Sequence, residues 1–195
     1  MRIKNVKIYG LEESIMRSGY PMQIGEPDSL IEASPVEKDY DRAYKLANSP
    51  ISSGHNNFLK GIIVQFDLQY PEYFSPQLQR YHWVDIVSSQ SKMHRITSRE
   101  LTREDFTGYV LGGTIESLNA WIECYNKEKD EETRQKYFQS IISNLPSGYL
   151  KWMGISTNYL QLKTIYKQRR HHKLPQWQYF CNWIETLPLA EKLIK

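Results

Sequence analysis

Apolar and polar positions alternate most regularly over 64–70. Val64, Phe66, Leu68 and Tyr70 take one side, and Gln65, Asp67 and Gln69 the other. A period of two marks a half-buried antiparallel strand. Pro71, which has no N–H to donate, is predicted to end it. A shorter strand is predicted at Val6-Lys7-Ile8-Tyr9. Between them, Ser18 to about Pro35 is polar and carries Pro and Gly, and Ser52-Ser53-Gly54-His55-Asn56-Asn57 reads as a loop.

Elsewhere the period is helical. Tyr40, Ala43, Tyr44 and Ala47 share one face of a helix over Glu37–Asn48. Ser75 is placed to cap a helix that opens at Pro76 and runs toward Val84. Thr102, with Asp105 three residues on, predicts a short capped turn. Ile115, Leu118, Trp121, Ile122 and Tyr125 predict a helix after a turn at Gly112-Gly113. Tyr137, Phe138, Ile141 and Ile142 predict another over Glu132–Asn144, broken by Leu145-Pro146-Ser147-Gly148. Tyr159, Leu162, Tyr166 and Arg169 then share one helix face, and Trp177, Phe180, Cys181 and Ile184 the next. The expected class is α+β: a small antiparallel sheet flanked by helices, with a helical C-terminal half.

Composition adds limits. With 40% apolar and 24% charged positions, 195 residues fit a single domain over 1–195 with a substantial core. The 14 Tyr and five Trp suit half-buried pockets or subunit contacts as well as a core. A formal charge of +3 does not by itself point to nucleic acid. Cys124 and Cys181 lack metal-type spacing, so a reduced, cytoplasmic location is the simplest reading. The N-terminus has no signal-peptide run, and no stretch is long and apolar enough to span a bilayer.

Several common chemistries are absent. The chain has no dinucleotide or Walker glycine loop, no C-x-x-C pair and no G-x-S-x-G elbow. Adjacent His171 and His172 point about 100° apart on a helix, which argues against a shared metal. Ser88-Ser89-Gln90-Ser91, followed by His94-Arg95, gathers hydroxyls, an amide and a guanidinium suited to phosphate or a pyrimidine edge. Lys167, Arg169, Arg170 and Lys173 form a basic helix end, either a solvated face that complements the helix dipole or a contact for nucleic-acid phosphates. Arg169 differs from the others because it lies on the apolar face, where a cation needs a counter-charge or a ligand.

Taken in order, these pieces resemble the flavin-dependent thymidylate synthases. That family has a threonine- or serine-glycine-histidine loop before an alternating strand, as Ser53-Gly54-His55 stands before Val64–Tyr70. Its R-H-R-x7-S-x-R signature is matched by Tyr81-His82-Trp83, Ser91 and Met93. Its later Leu-Pro, Asn, Arg and Gln-Trp are matched by Pro146, Asn158, Arg169 and Gln176-Trp177, with one extra residue before the last pair. Its N-terminal Ser resembles Ser18. The signature arginines are replaced by Tyr81, Trp83 and Met93, and a further family arginine by Ile142.

The resemblance implies reductive methylation of dUMP to dTMP, with FAD as cofactor and NADPH and methylene-tetrahydrofolate as cosubstrates. It implies that Ser18, His55, Asn57, His82 and Asn158 hold the flavin. Ser89, Gln90, Ser91 and Arg95 would face the nucleotide, together with Arg169. Ser91 and Arg169 would act catalytically, the guanidinium favouring the anionic ring that forms during transfer. It also implies a homotetramer without a metal or membrane. The replaced arginines motivate an alternative, a non-catalytic member that binds nucleotide or flavin. A nucleic-acid-binding helical protein is the third reading.

Overall fold

The structure, a computed structural model, describes residues 1–26, 34–50 and 53–195. Parts of the turn-rich stretch from Ser18 to Pro35, and Ser52 of the following loop, lie outside them. In chain order the elements are β1 (Arg2–Tyr9), α1 (Leu11–Arg17), α2 (Glu37–Ala47), β2 (Ile63–Pro71), α3 (Ser75–Leu78), β3 (Asp85–Ser89) and α4 (Lys92–Arg95). Then come α5 (Gly112–Lys127), α6 (Glu131–Asn144), β4 (Leu150–Asn158), α7 (Tyr159–Arg169), α8 (Pro175–Glu185) and α9 (Ala190–Leu193). The class is α+β, as the hydrophobic pattern predicts.

The four strands form one sheet in the order β1-β2-β4-β3. Neighbours run antiparallel. Tyr159 N donates to Ile62 O at one end of the β2–β4 pair, and Glu72 N donates to Tyr149 O at the other. Gln90 N donates to Trp152 O beyond the end of β3. β2 buries Val64, Phe66, Leu68 and Tyr70, as its alternation requires.

The chain divides into two compact units. The first comprises Met1–Arg2, Leu68–Arg80 and Ser88–Met153, and the second Ile3–Asp67, Tyr81–Val87 and Gly154–Lys195. The core of the first unit is built by Ile96, Leu101, Phe106, Ile115, Leu118, Ile122 and Ile141, with Phe138 and Ile142 packed on its rim. In the second unit Phe66 meets Phe180 and Trp183, while Trp177, Cys181 and Ile184 of α8 are buried as their spacing predicts. Gly10 stands ahead of α1 with φ +70°, and a Cβ there would lie 2.6 Å from Gly61 O. That conformation and that lack of room both require glycine.

Four local expectations are corrected. The helix expected from Pro76 to Val84 stops at Leu78, and Ser75 makes no capping bond. The backbone turns so that Val84 N donates to Tyr81 O, and the β-branched Ile86-Val87 then extends in β3. Ser88-Ser89 therefore closes a strand. Gly112-Gly113 is the first turn of α5 rather than a turn before it, since burial of Ile115 and Leu118 draws the helix in. The C-terminal half is not wholly helical, because β4 precedes α7, with Met153, Ile155 and Thr157 buried at a spacing of two.

Candidate functional site

In the first unit, the end of β3, α4 and the start of β4 border a pocket of about 500 Å³. Its lining includes Gln90, Ser91 and Arg95, three of the residues expected to face a nucleotide, together with Lys92, Arg99, Lys151 and Trp152. Ser89 is exposed at the end of β3 and does not line it. Gln90 is fixed at both ends: its N–H donates to Trp152 O at 2.9 Å, and its Oε1 accepts from Trp152 N at 3.1 Å.

The cations of this pocket differ in how they are balanced. Lys151 pairs with Glu72 at 2.9 Å, and Lys92 reaches the same carboxylate at 3.7 Å. Burial alone would lower the pKa of Lys151, but Glu72 and Tyr70 together outweigh it and hold the ammonium above its ordinary value. Arg99 clamps Asp105 with both terminal nitrogens. Burial would raise the Asp105 carboxyl, yet Arg99 and the Thr102 N–H keep it below the usual range. Arg95 enters no ion pair among the described residues. A guanidinium without a counter-charge, beside a serine hydroxyl and a tethered amide, is equipped to receive an oxyanion.

In the second unit, the segments expected to hold a flavin are tied to the junction of β4 and α7. Asn158 is buried at that junction and caps α7, its Oδ1 accepting from Gln161 N at 2.9 Å. The Gln161 side chain accepts from Trp83 N at 3.2 Å, and Thr157 Oγ1 donates to Trp83 O at 2.6 Å. These bonds fasten the turn that carries His82, whose exposed ring lies edge-on to Trp83 at 5.0 Å. Tyr159 N donates to Ile62 O, which fastens the segment after His55 and Asn57, both exposed. Between them Asn56 is buried, and its Nδ2 has no hydrogen-bond partner among the described residues. Ser18 is committed elsewhere: its hydroxyl donates to Ile15 O and accepts from Arg42 Nε.

Arg169 is half-buried on the second unit and meets aromatic groups rather than an acid. Its Nε donates to the Tyr81 hydroxyl at 2.7 Å, and its guanidinium lies over the rings of Trp177 at 4.9 Å and Tyr81 at 5.6 Å. Burial lowers the pKa of nearby His172, and the charges of Arg169 and Lys173 lower it further, so this end of α7 favours a neutral imidazole.

Sequence reasoning missed Lys151 and Trp152 because it missed β4. The alternation of Met153, Ile155 and Thr157 was the available signal. It also missed Arg99, which nothing in its local pattern distinguishes from a surface cation.

No protein-family model and no curated protein sequence matches the chain. Solved structures do. The flavin-dependent thymidylate synthase ThyX of Helicobacter pylori, complexed with FAD and dUMP, superposes with a TM-score of 0.73 at 14% identity, covering 100% of this chain and 98% of that one. A second structure of the same enzyme with FAD and dUMP gives 0.72 over the same coverage. What this chain shares with ThyX, across its whole length, is therefore the fold.

Proposed function

We propose that this protein is a flavin-dependent enzyme of the thymidylate synthase type, which binds a deoxyuridine nucleotide and methylates it to dTMP. The observation that carries the reading is the pocket in which Gln90, Ser91 and an Arg95 with no ion pair among the described residues come together, within a fold shared end to end with an enzyme that binds FAD and dUMP. Arg95 would take the phosphate, while Ser91 and the tethered Gln90 would offer polar contacts to the rest of the nucleotide. The resemblance assigns to Arg169, in the second unit, the part of favouring negative charge on a pyrimidine ring.

The residues tied to the β4–α7 junction fit a flavin. His55, Asn57 and His82 are exposed polar groups on segments fastened there, with Asn158 at its centre. The buried, unpartnered Nδ2 of Asn56 suits a ligand rich in carbonyl and phosphate oxygens. Bound there, FAD would supply the hydride, with NADPH and methylene-tetrahydrofolate as sources of electrons and carbon, while the protein positions and desolvates the reactants. This division of labour needs no nucleophile–base triad.

The absorbance spectrum of purified protein mixed with FAD is the first test. A bound flavin that bleaches on reduction is expected, and a protein that takes up no FAD at micromolar concentration would refute the reading. The alternative, a non-catalytic nucleotide or flavin binder, is favoured by Tyr81, Trp83 and Met93, which replace signature arginines. Growth of a thymidine-requiring strain carrying this gene separates the two: growth without thymidine excludes the alternative. The nucleic-acid reading gains no support, because Arg170 is held by Glu185 and Asn182 and Arg169 by aromatic rings.

A further inference from the structure

We infer that Tyr81 is a positioning residue for Arg169, holding the guanidinium so that its charge and outer nitrogens remain available to a planar anion. Four observations combine. The Nε–H, on the inner edge of the guanidinium, is taken by the Tyr81 hydroxyl at 2.7 Å. The group lies over the rings of Trp177 and Tyr81. The Tyr81 hydroxyl is oriented in turn, donating to Gln168 Oε1 at 3.1 Å. Finally, no ion pair among the described residues includes Arg169.

The choice of partner matters chemically. A carboxylate in place of the hydroxyl would also fix the guanidinium, but it would cancel the charge a ligand is meant to feel. A neutral phenol and two π faces fix it without neutralising it. Tyr81 is itself buried and packs edge-on against Trp177 at 5.9 Å, so the hold does not depend on a mobile side chain. The guanidinium keeps two outer NH2 groups whose donors lie in one plane. That geometry matches a pair of coplanar oxygens or a carbonyl gaining negative charge, rather than a bulky or apolar group.

The inference rests on the reading that Arg169 meets the nucleotide. Its test separates the two with three variants, Tyr81→Phe, Arg169→Ala and Arg169→Lys, and three measurements: the NMR signal of the Arg169 Nε–H, dUMP affinity by calorimetry, and melting temperature. In the wild type the Nε–H is expected to be sharp and protected from exchange, and in Tyr81→Phe to broaden into the solvent-exposed range. Loss of a hydrogen bond to a charged group should weaken dUMP binding by about tenfold in Tyr81→Phe, while the variant still melts in one cooperative transition. Arg169→Lys should bind no better than Tyr81→Phe, since an ammonium lacks the planar fork. An unchanged Nε–H signal in Tyr81→Phe overturns the inference. So does full dUMP affinity in that variant when Arg169→Ala has lost it, and this outcome leaves the proposed function standing. If Arg169→Ala binds dUMP as the wild type does, both the inference and the role assigned to Arg169 fail.

Discussion

Lys163 is fully buried on α7 and enters no ion pair among the described residues; its ammonium donates to the carbonyl oxygens of Leu193, Ile194 and Lys195. Burial pushes its pKa down to about 8 from 10.5, with the charge of Lys167 adding to the effect. Between those values the unfolded chain binds the proton more fully than the folded one, so this residue's contribution to stability rises with pH across that window. In urea titrations, the unfolding free energy of the wild type minus that of Lys163→Met is expected to grow from pH 8 to about pH 10; a flat or falling difference would contradict it. The cysteines make a second contrast. Burial pushes the Cys181 thiol up to about 11, whereas Cys124 is exposed. A thiol reagent should therefore modify one cysteine in native protein and the second only in denaturant. At this scale the sequence marked Arg169 as unusual from its place on an apolar helix face, and Asn158 only through the family resemblance. It did not mark Tyr81 as the partner of Arg169, because the two are 88 residues apart and no local period connects them.

Among the elements, α7 depends on its first residue. Asn158→Ala removes the acceptor for Gln161 N and should cost about 1–2 kcal/mol in a urea melt. Asn158→Asp keeps that acceptor but loses the amide donor, so it should retain most of the stability while weakening FAD binding if the amide meets the flavin. Gly10→Ala should cost about 1–3 kcal/mol, given its positive φ and the Gly61 carbonyl in the way. Elements with one uninterrupted period, β2, α2 and α8, were readable. β4 was not, because Gly154 breaks its apolar run and the polar-apolar order of Lys151-Trp152 at its start is out of phase with the buried Met153, Ile155 and Thr157. The overlong α3 shows the opposite error. Ser75-Pro76 supplied a start signal, but the stop came from Thr157 and Gln161 binding the backbone of Trp83, and those residues lie more than 70 positions downstream.

For the molecule as a whole, the α+β class followed from period alone, while the place of β4 among the helices and the strand order did not, since no local pattern encodes which strands pair. The surface carries exposed apolar groups of the kind subunit contacts use: Val87 is 68% exposed and Tyr109 92% exposed, and Trp83 is also exposed. Sedimentation is expected to give a multiple of the 23.1 kDa chain mass, four by resemblance to the thymidylate synthases, and Val87→Glu should lower it. A wild-type protein that sediments as a monomer at micromolar concentration would refute this. The strand order also bears on how the chain is made. β4 leaves the ribosome last of the strands, yet it lies between β2 and β3. Until about residue 158 is synthesised, β3 has no neighbour and β2 has one bare edge, so nascent or truncated chains ending before β4 should be captured by chaperones or aggregate where the complete chain does not.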